Sequence, residues 1–205
     1  MPPSTTTAAR RSRTRPAGVP TPWGMFFQGF LKHPVMVGSI IPSSDRLIRK
    51  MLGPVDWSAC KLFVEYGPGV GTFCRPILDQ LAPDAKLIAI DTNPDFIRYL
   101  RHTIADPRFA AVSGSAADVR QIVTDHGFDH ADYVLSGLPF STLPPGVGAA
   151  IGAATHDVLR PGGAFLVYQF SPKVRDFIAP HFNRIDQGME WWNVPPAQLY
   201  WAWKD

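Results

Sequence analysis

Apolar and polar positions along this chain follow two periods. From Lys61 onward, short uninterrupted apolar runs are separated by stretches that repeat every three to four residues. The runs Leu62–Glu65, Lys86–Asp91, Phe109–Val112, Tyr133–Ser136 and Ala164–Phe170 predict strands. Between them, Thr72–Leu81, Pro94–Ile104, Ala117–His126 and Val147–Leu159 predict helices. Alternation of this kind gives an α/β fold, a mostly parallel sheet covered by helices on both faces. The stretch Leu159-Arg-Pro-Gly-Gly163 reads as a turn. Arg184–Trp192 and Gln198–Trp203 complete a seven-stranded sheet, joined by the extended linker Asn193-Val-Pro-Pro-Ala197.

Ahead of Lys61 the pattern changes. Trp23, Phe26, Phe27, Phe30 and Leu31 recur at i, i+3, i+4, i+7 and i+8, with Gln28, Lys32 and His33 outside the stripe. This predicts an amphipathic helix with an aromatic face. That face packs on the sheet of its own domain or lies in a membrane interface. The following residues are broken by Gly38 and Pro42, and Ser43 or Ser44 then caps a helix over Asp45–Leu52. A loop so placed, just before the first strand, can fold over a ligand as a lid.

Charge divides the chain in the same way. The net charge is +3, yet residues 1–20 hold Arg10, Arg11, Arg13 and Arg15 and no acid. Without those four the chain has 16 basic and 17 acidic residues, so the basicity belongs to a tail. Its Thr, Ser, Pro and Arg content predicts disorder. The expected organisation is a tail over 1–20, an amphipathic helix and lid segment over 21–55, and one α/β domain over 56–205. No apolar run approaches the roughly 18–20 residues that span a bilayer. Two cysteines, Cys60 and Cys74, without C-x-x-C spacing, suggest neither metal nor disulfide and make a reducing cytoplasm the default.

Candidate chemistry starts at the end of the first strand. Gly67, Gly69 and Gly71 let the backbone bend tightly and lie against a ligand. The dinucleotide fingerprint needs glycine at its sixth position, which here is Thr72, and no Gly-Lys-Ser/Thr follows for a phosphate loop. What remains, Glu65-x-Gly67-x-Gly69-x-Gly71, resembles the signature of class I S-adenosylmethionine-dependent methyltransferases, whose Rossmann-like fold suits the alternating pattern. The second strand ends in Asp91, twenty residues after Gly71, where an acid can accept hydrogen bonds from both ribose hydroxyls or cap the next helix. The resemblance places Thr92 beside it in the same site. The third strand leads into Gly114-Ser-Ala-Ala-Asp118. There Ser115, Ala116 and Asp118 stand near the expected adenine position, or else form an ordinary helix start.

The fourth strand ends in Ser136-Gly-Leu-Pro-Phe140, where chemistry is expected. Methyltransferases acting on nucleic-acid amines carry Asn-Leu-Pro-Tyr or a similar motif here, and Gly137 stands where their Asn would be. A site without that amide keeps carbonyl acceptors for an amine, around Gly137 and Leu138, and loses a handle on an adenine edge.

Residues from about Phe26 to Trp203 resemble the soluble bacterial phospholipid N-methyltransferases. The resemblance rests on Phe30-Leu-Lys-His-Pro34, Gly38-Ser-Ile-Ile-Pro-Ser-Ser44, Glu65-Tyr-Gly-Pro-Gly-Val-Gly71, Ser136-Gly-Leu-Pro-Phe140 and Asn193-Val-Pro-Pro-Ala197. It implies methyl transfer from S-adenosylmethionine to the amine of phosphatidylethanolamine and its mono- and dimethyl forms. The products are phosphatidylcholine and S-adenosylhomocysteine. It also implies a cytoplasmic protein, peripherally bound to the anionic inner face of the membrane, using neither metal nor nucleic acid.

The cofactor would meet Ser43, Ser44, Glu65, the three glycines, Asp91, Thr92, Ser115, Ala116 and Ser136. Catalysis would centre on Tyr66, Ser136, Gly137, Leu138, Pro139 and Phe140. Lipid or membrane contacts fall to the aromatic stripe and to Lys32, His33, Arg46, Tyr168, Lys173 and Arg175. An amine with a pKa near 10 is unprotonated in about one molecule in a thousand at neutral pH. Tyr66, Ser43, Ser44, His33 and Tyr168 are therefore candidates to take or relay its proton. Ornithine-lipid methyltransferases share much of this pattern. Two other readings remain open, a ribosomal RNA adenine dimethylase and a membrane-associated protein that binds the cofactor without catalysis.

Overall fold

The computed structural model describes residues 44–170, 172–193 and 196–205. The helix expected over 23–33, with Lys32, His33, the tail and Ser43, lies outside the described residues. Among those described, no helix is long and apolar enough to cross a membrane.

Seven strands form one sheet: β1 (Leu62–Tyr66), β2 (Lys86–Asp91), β3 (Phe109–Ser113), β4 (Ala131–Ser136), β5 (Leu159–Gln169), β6 (Arg184–Glu190) and β7 (Ala197–Trp203). Their order is β3-β2-β1-β4-β5-β7-β6. The first five run parallel, β7 lies antiparallel to β5, and β6 antiparallel to β7. The order reverses between β1 and β4. In such sheets, ligands bind at that reversal, beyond the carboxyl ends of the strands.

Among the described residues, six helices cover the sheet: α1 (Asp45–Leu52), α2 (Cys74–Leu78), α3 (Pro94–Thr103), α4 (Val119–Asp125), α5 (Val147–Val158) and α6 (Arg175–Ile178). All five residues of β1 are buried, as an uninterrupted apolar run requires. Because successive strand side chains point to opposite faces, the chain builds two cores. Phe63, Leu87, Leu135, Leu166 and Leu199 pack with Leu47, Ile77 and Leu100 from α1, α2 and α3. On the other face Leu62, Val64, Tyr66, Val134 and Val167 pack with Val119, Ile151 and Ile178 from α4, α5 and α6.

Local chemistry accounts for the helix starts. The Ser44 hydroxyl accepts from the Leu47 amide at 3.2 Å, so Ser44 caps α1. Asn93 caps α3 by accepting from the Asp95 amide at 2.9 Å, with Pro94 in the first turn.

Two expectations are corrected. The stretch 159–163 is part of β5 rather than a turn. Gly162 adopts φ +74°, its amide donates to the Lys204 carbonyl at 2.7 Å, and the Lys204 amide donates to the Gly163 carbonyl at 2.9 Å. The chain following β7 thus supplies a ladder that no local pattern announces. Helix α2 is also shorter than Thr72–Leu81. Its first residues are held in turns, Gly71 N–H on the Pro68 carbonyl and Cys74 N–H on that of Gly71. The short helix α6 was not foreseen.

Candidate functional site

The glycine loop leaves β1 at the topological reversal and is tied to both neighbouring strands. The Gly67 amide donates to the Ile90 carbonyl of β2 at 2.9 Å, and the Gly137 amide donates to the Tyr66 carbonyl at 3.2 Å. Gly67, Gly69 and Gly71 have φ of 62°, 54° and 83°, where L side chains are strained. Two of them are also required by packing within the chain. A Cβ on Gly67 would lie 2.9 Å from Leu138 Cδ2, and one on Gly71 would lie 2.7 Å from Leu100 Cδ2.

Glu65 and Asp91 flank this loop. Glu65 is 3% exposed and accepts a hydrogen bond from the Cys74 thiol at 3.1 Å. Burial pushes its carboxyl up to about 7, the thiol bond pulls it down, and the charge of Asp91 adds to the rise. Burial likewise raises Asp91, against the pull of backbone N–H groups of Asn93, Gly69 and Thr92. Asp91 Oδ1 accepts from the Asn93 amide at 2.8 Å, so Asp91 braces the loop and leaves the capping of α3 to Asn93. Two poorly solvated carboxyl groups beside one glycine loop suit a ligand that carries positive charge and hydroxyls.

That environment sets a pH dependence. Glu65 in the unfolded chain has its ordinary value of 4.5 and in the folded chain about 7. Between those values the folded state binds more protons, so the stability of the ligand-free protein falls as pH rises through this window and then levels. The loss reaches about 3 kcal/mol at most. Urea unfolding of wild type and Glu65→Gln from pH 4.5 to 8 checks this, with the variant falling less than wild type because only the Asp91 carboxyl is left to contribute. Equal slopes would refute it.

The segment after β4 departs most from expectation. Tyr66 is fully buried, with its hydroxyl 3.1 Å from Thr155 Oγ1 and its pKa raised by that burial. It faces the core under α5, where it can neither touch a substrate nor take its proton. Phe140 is 2% exposed and packs against Phe165 and Phe177, at 6.5 and 5.7 Å between ring centroids. It belongs to that same core rather than to the catalytic group expected of it. The Leu138 carbonyl accepts from the Phe140 amide at 2.9 Å and from the Gln169 side chain. Of the two carbonyls expected to orient an amine, that of Leu138 is therefore already engaged. Ser136 is fully buried and accepts from the Leu138 amide at 3.2 Å, and the Pro139 carbonyl accepts from the Thr142 amide at 2.9 Å.

Gly137 is enclosed by a residue of β5. A Cβ there would lie 2.3 Å from the Tyr168 hydroxyl oxygen and 2.8 Å from its Cζ. The Tyr168 ring is stacked on Phe73, 5.0 Å between centroids. Tyr168 thus occupies the space into which a side chain at position 137 would project.

The remaining candidates scatter. Ser115 accepts from the Ala117 amide at 3.2 Å and caps a short turn over Ala116–Asp118. Ala116 is buried, while Asp118 and Thr92 are exposed. Ser44 donates its amide to Asn193 Oδ1 at 3.4 Å. Arg46 is exposed and paired with Glu190 at 3.7 Å. Lys173 and Arg175 are exposed just beyond β5. Sequence reading missed Cys74 as the partner of Glu65 and Phe73 as that of Tyr168.

Residues 63–163 match the family described as a methyltransferase domain. An ornithine lipid N-methyltransferase from Singulisphaera acidiphila is 32% identical over 180 residues, covering 87% of this chain and 94% of that protein. The chain belongs to the class I S-adenosylmethionine-dependent methyltransferases.

Solved structures show the same fold. The 1,6-didemethyltoxoflavin-N1-methyltransferase of Burkholderia thailandensis superposes with a TM-score of 0.60 at 15% identity and was solved with bound S-adenosylhomocysteine. It covers 94% of each chain. The precorrin-6y C5,15-methyltransferase of Geobacter metallireducens gives 0.63 at 14% identity, over 80% of this chain and 94% of that one. S-adenosylmethionine is the cofactor of this methyltransferase. Glu65, the glycine loop and Asp91 would hold it, since its sulfonium, ammonium and ribose hydroxyls suit two poorly solvated carboxyls beside a tight backbone turn.

Proposed function

We propose that this methyltransferase methylates the headgroup amine of an aminolipid at the inner face of the cytoplasmic membrane. The likeness to the ornithine lipid N-methyltransferase along nearly its whole length carries this reading. The sequence motifs imply phosphatidylethanolamine as the acceptor, leading to phosphatidylcholine. The name of that relative makes ornithine lipid the second candidate.

When bound, S-adenosylmethionine supplies a methyl group on a positively charged sulfur. The residues of this chain hold and orient. Asp91 and the loop amides would take the ribose, and Glu65 would meet the cationic end. Tyr168 and the backbone at Gly137 form a wall at the ends of β4 and β5, beside which an amine would be aligned. Of the candidates to relay the amine proton, Tyr168 borders this wall and Tyr66 does not. Filling of position 137 by Tyr168 supports an amine on a flexible headgroup over a planar base.

Purified protein with labelled S-adenosylmethionine, offered phosphatidylethanolamine, ornithine lipid and ribosomal RNA in parallel, tests the proposal. Label is expected in an aminolipid and not in RNA. Labelled RNA with untouched lipid would reject it. Cofactor binding without any labelling would favour the non-catalytic reading.

A further inference from the structure

Among the described residues, two large apolar side chains stand exposed: Trp191 at 70% and Trp192 at 75%. They directly follow β6 and open its connection to β7. Gln198 of β7 pairs with Gln169 at the end of β5. The hairpin tip therefore lies at the same edge of the sheet as the glycine loop and Gly137.

The tip is held in place by polar groups turned inward. Glu190 is 3% exposed, accepts from the Trp192 amide at 3.1 Å and pairs with Arg46 at 3.7 Å. Asn193, also 3% exposed, accepts from the Ser44 amide at 3.4 Å. Lys50 donates to the Met189 carbonyl at 2.6 Å. A carboxylate and an amide are thus buried while two adjacent indoles point outward, the reverse of ordinary surface partition. Around them α1 presents a cationic patch. Arg46 and Lys50 are exposed beside the hairpin, and the Arg46 guanidinium lies 5.9 Å from the Trp192 ring centroid.

Indole rings sit at the headgroup level of bilayers, apolar face inward and N–H toward water. Lysine and arginine beside them are attracted to anionic lipid. We propose that Trp191 and Trp192, with Arg46 and Lys50, form a docking surface for an anionic phospholipid bilayer that turns the carboxyl end of the sheet, with its glycine loop, toward the headgroups. This rests on the aminolipid reading.

Vesicles of phosphatidylethanolamine and phosphatidylglycerol test it with the full-length protein saturated with S-adenosylhomocysteine, so that no turnover is needed. The Trp191→Ser/Trp192→Ser variant should partition about tenfold less than wild type and keep its melting temperature, because exposed side chains bury little on folding. Brominated phospholipid should quench the emission that wild type has and Trp191→Phe/Trp192→Phe lacks. Equal partition of wild type and the Ser variant overturns the proposal. Shielding of the pair from acrylamide without vesicles also overturns it: independent of protein concentration it marks coverage by the chain's own N-terminal residues, and growing with concentration it marks self-association. If the surface docks as expected while no aminolipid is ever methylated, the docking stands and the proposed function fails. If aminolipid is methylated and the variant partitions like wild type, the reverse holds.

Discussion

Gly137→Asn is expected to lower turnover by about tenfold to a hundredfold and to destabilise the fold by about 1–3 kcal/mol. The substitution would restore the amide that base-directed methyltransferases carry at this position, and the sequence reading expects from it no improvement in lipid methylation. The structure predicts a loss. A Cβ at 137 meets the Tyr168 hydroxyl at 2.3 Å, and the Tyr168 ring, wedged on Phe73, has to swing away. That movement takes apart the wall at the ends of β4 and β5. Melting curves and methylation assays on the single variant, on Tyr168→Ala and on the double variant separate the terms. Stability should be partly recovered in the double variant, as coupled neighbours require. A single variant as stable and active as wild type would remove Tyr168 from the site.

Asp132→Ala is expected to cost more stability, about 2–4 kcal/mol, while leaving cofactor affinity per folded molecule unchanged. Asp132 is 3% exposed and lies at the opposite end of the sheet from the glycine loop. Its carboxylate accepts from the Lys61 and Leu62 amides at 2.7 and 2.8 Å and from Arg160 Nε at 2.5 Å. Removal leaves two backbone donors without their acceptor and a cation without its partner. Arg160 keeps some access to water, which limits the penalty. For a domain of this size the melting temperature should drop by roughly 5–15 °C. Calorimetric cofactor binding well below the transition should match wild type. Weakened binding there would mean that this end of β1 transmits strain to the loop.

The two variants divide according to what a linear reading can reach. Strands β1 and β2, the cap at Ser44 and the helix start at Pro94 were legible because each follows from residues within a few positions: an unbroken apolar run, a hydroxyl before a helix, a proline that fits the first turn. The glycine loop and Asp91 were legible for the same reason, since positive φ and a strand-end carboxylate are local properties. Period-two alternation also holds the answer to Tyr66, as a neighbour of Glu65 in a strand must face the opposite side. The family pattern nevertheless drew it into the site.

The sequence by itself therefore determined the alternating architecture, the glycine loop and its acidic flanks, because those depend on local sterics and on the period of burial. Only the tertiary structure decided what each motif faces. Tyr168 fills the space beside Gly137 from 31 residues away. Cys74 reaches Glu65 because α2 packs on that face of β1. Phe140 is drawn into the core by Phe165 and Phe177. Trp191 and Trp192, which read as the end of a strand, stand exposed just beyond β6, with Glu190 and Asn193 buried on either side of them. Such contacts join residues far apart in the chain, and side-chain direction across them depends on how strands and helices stack.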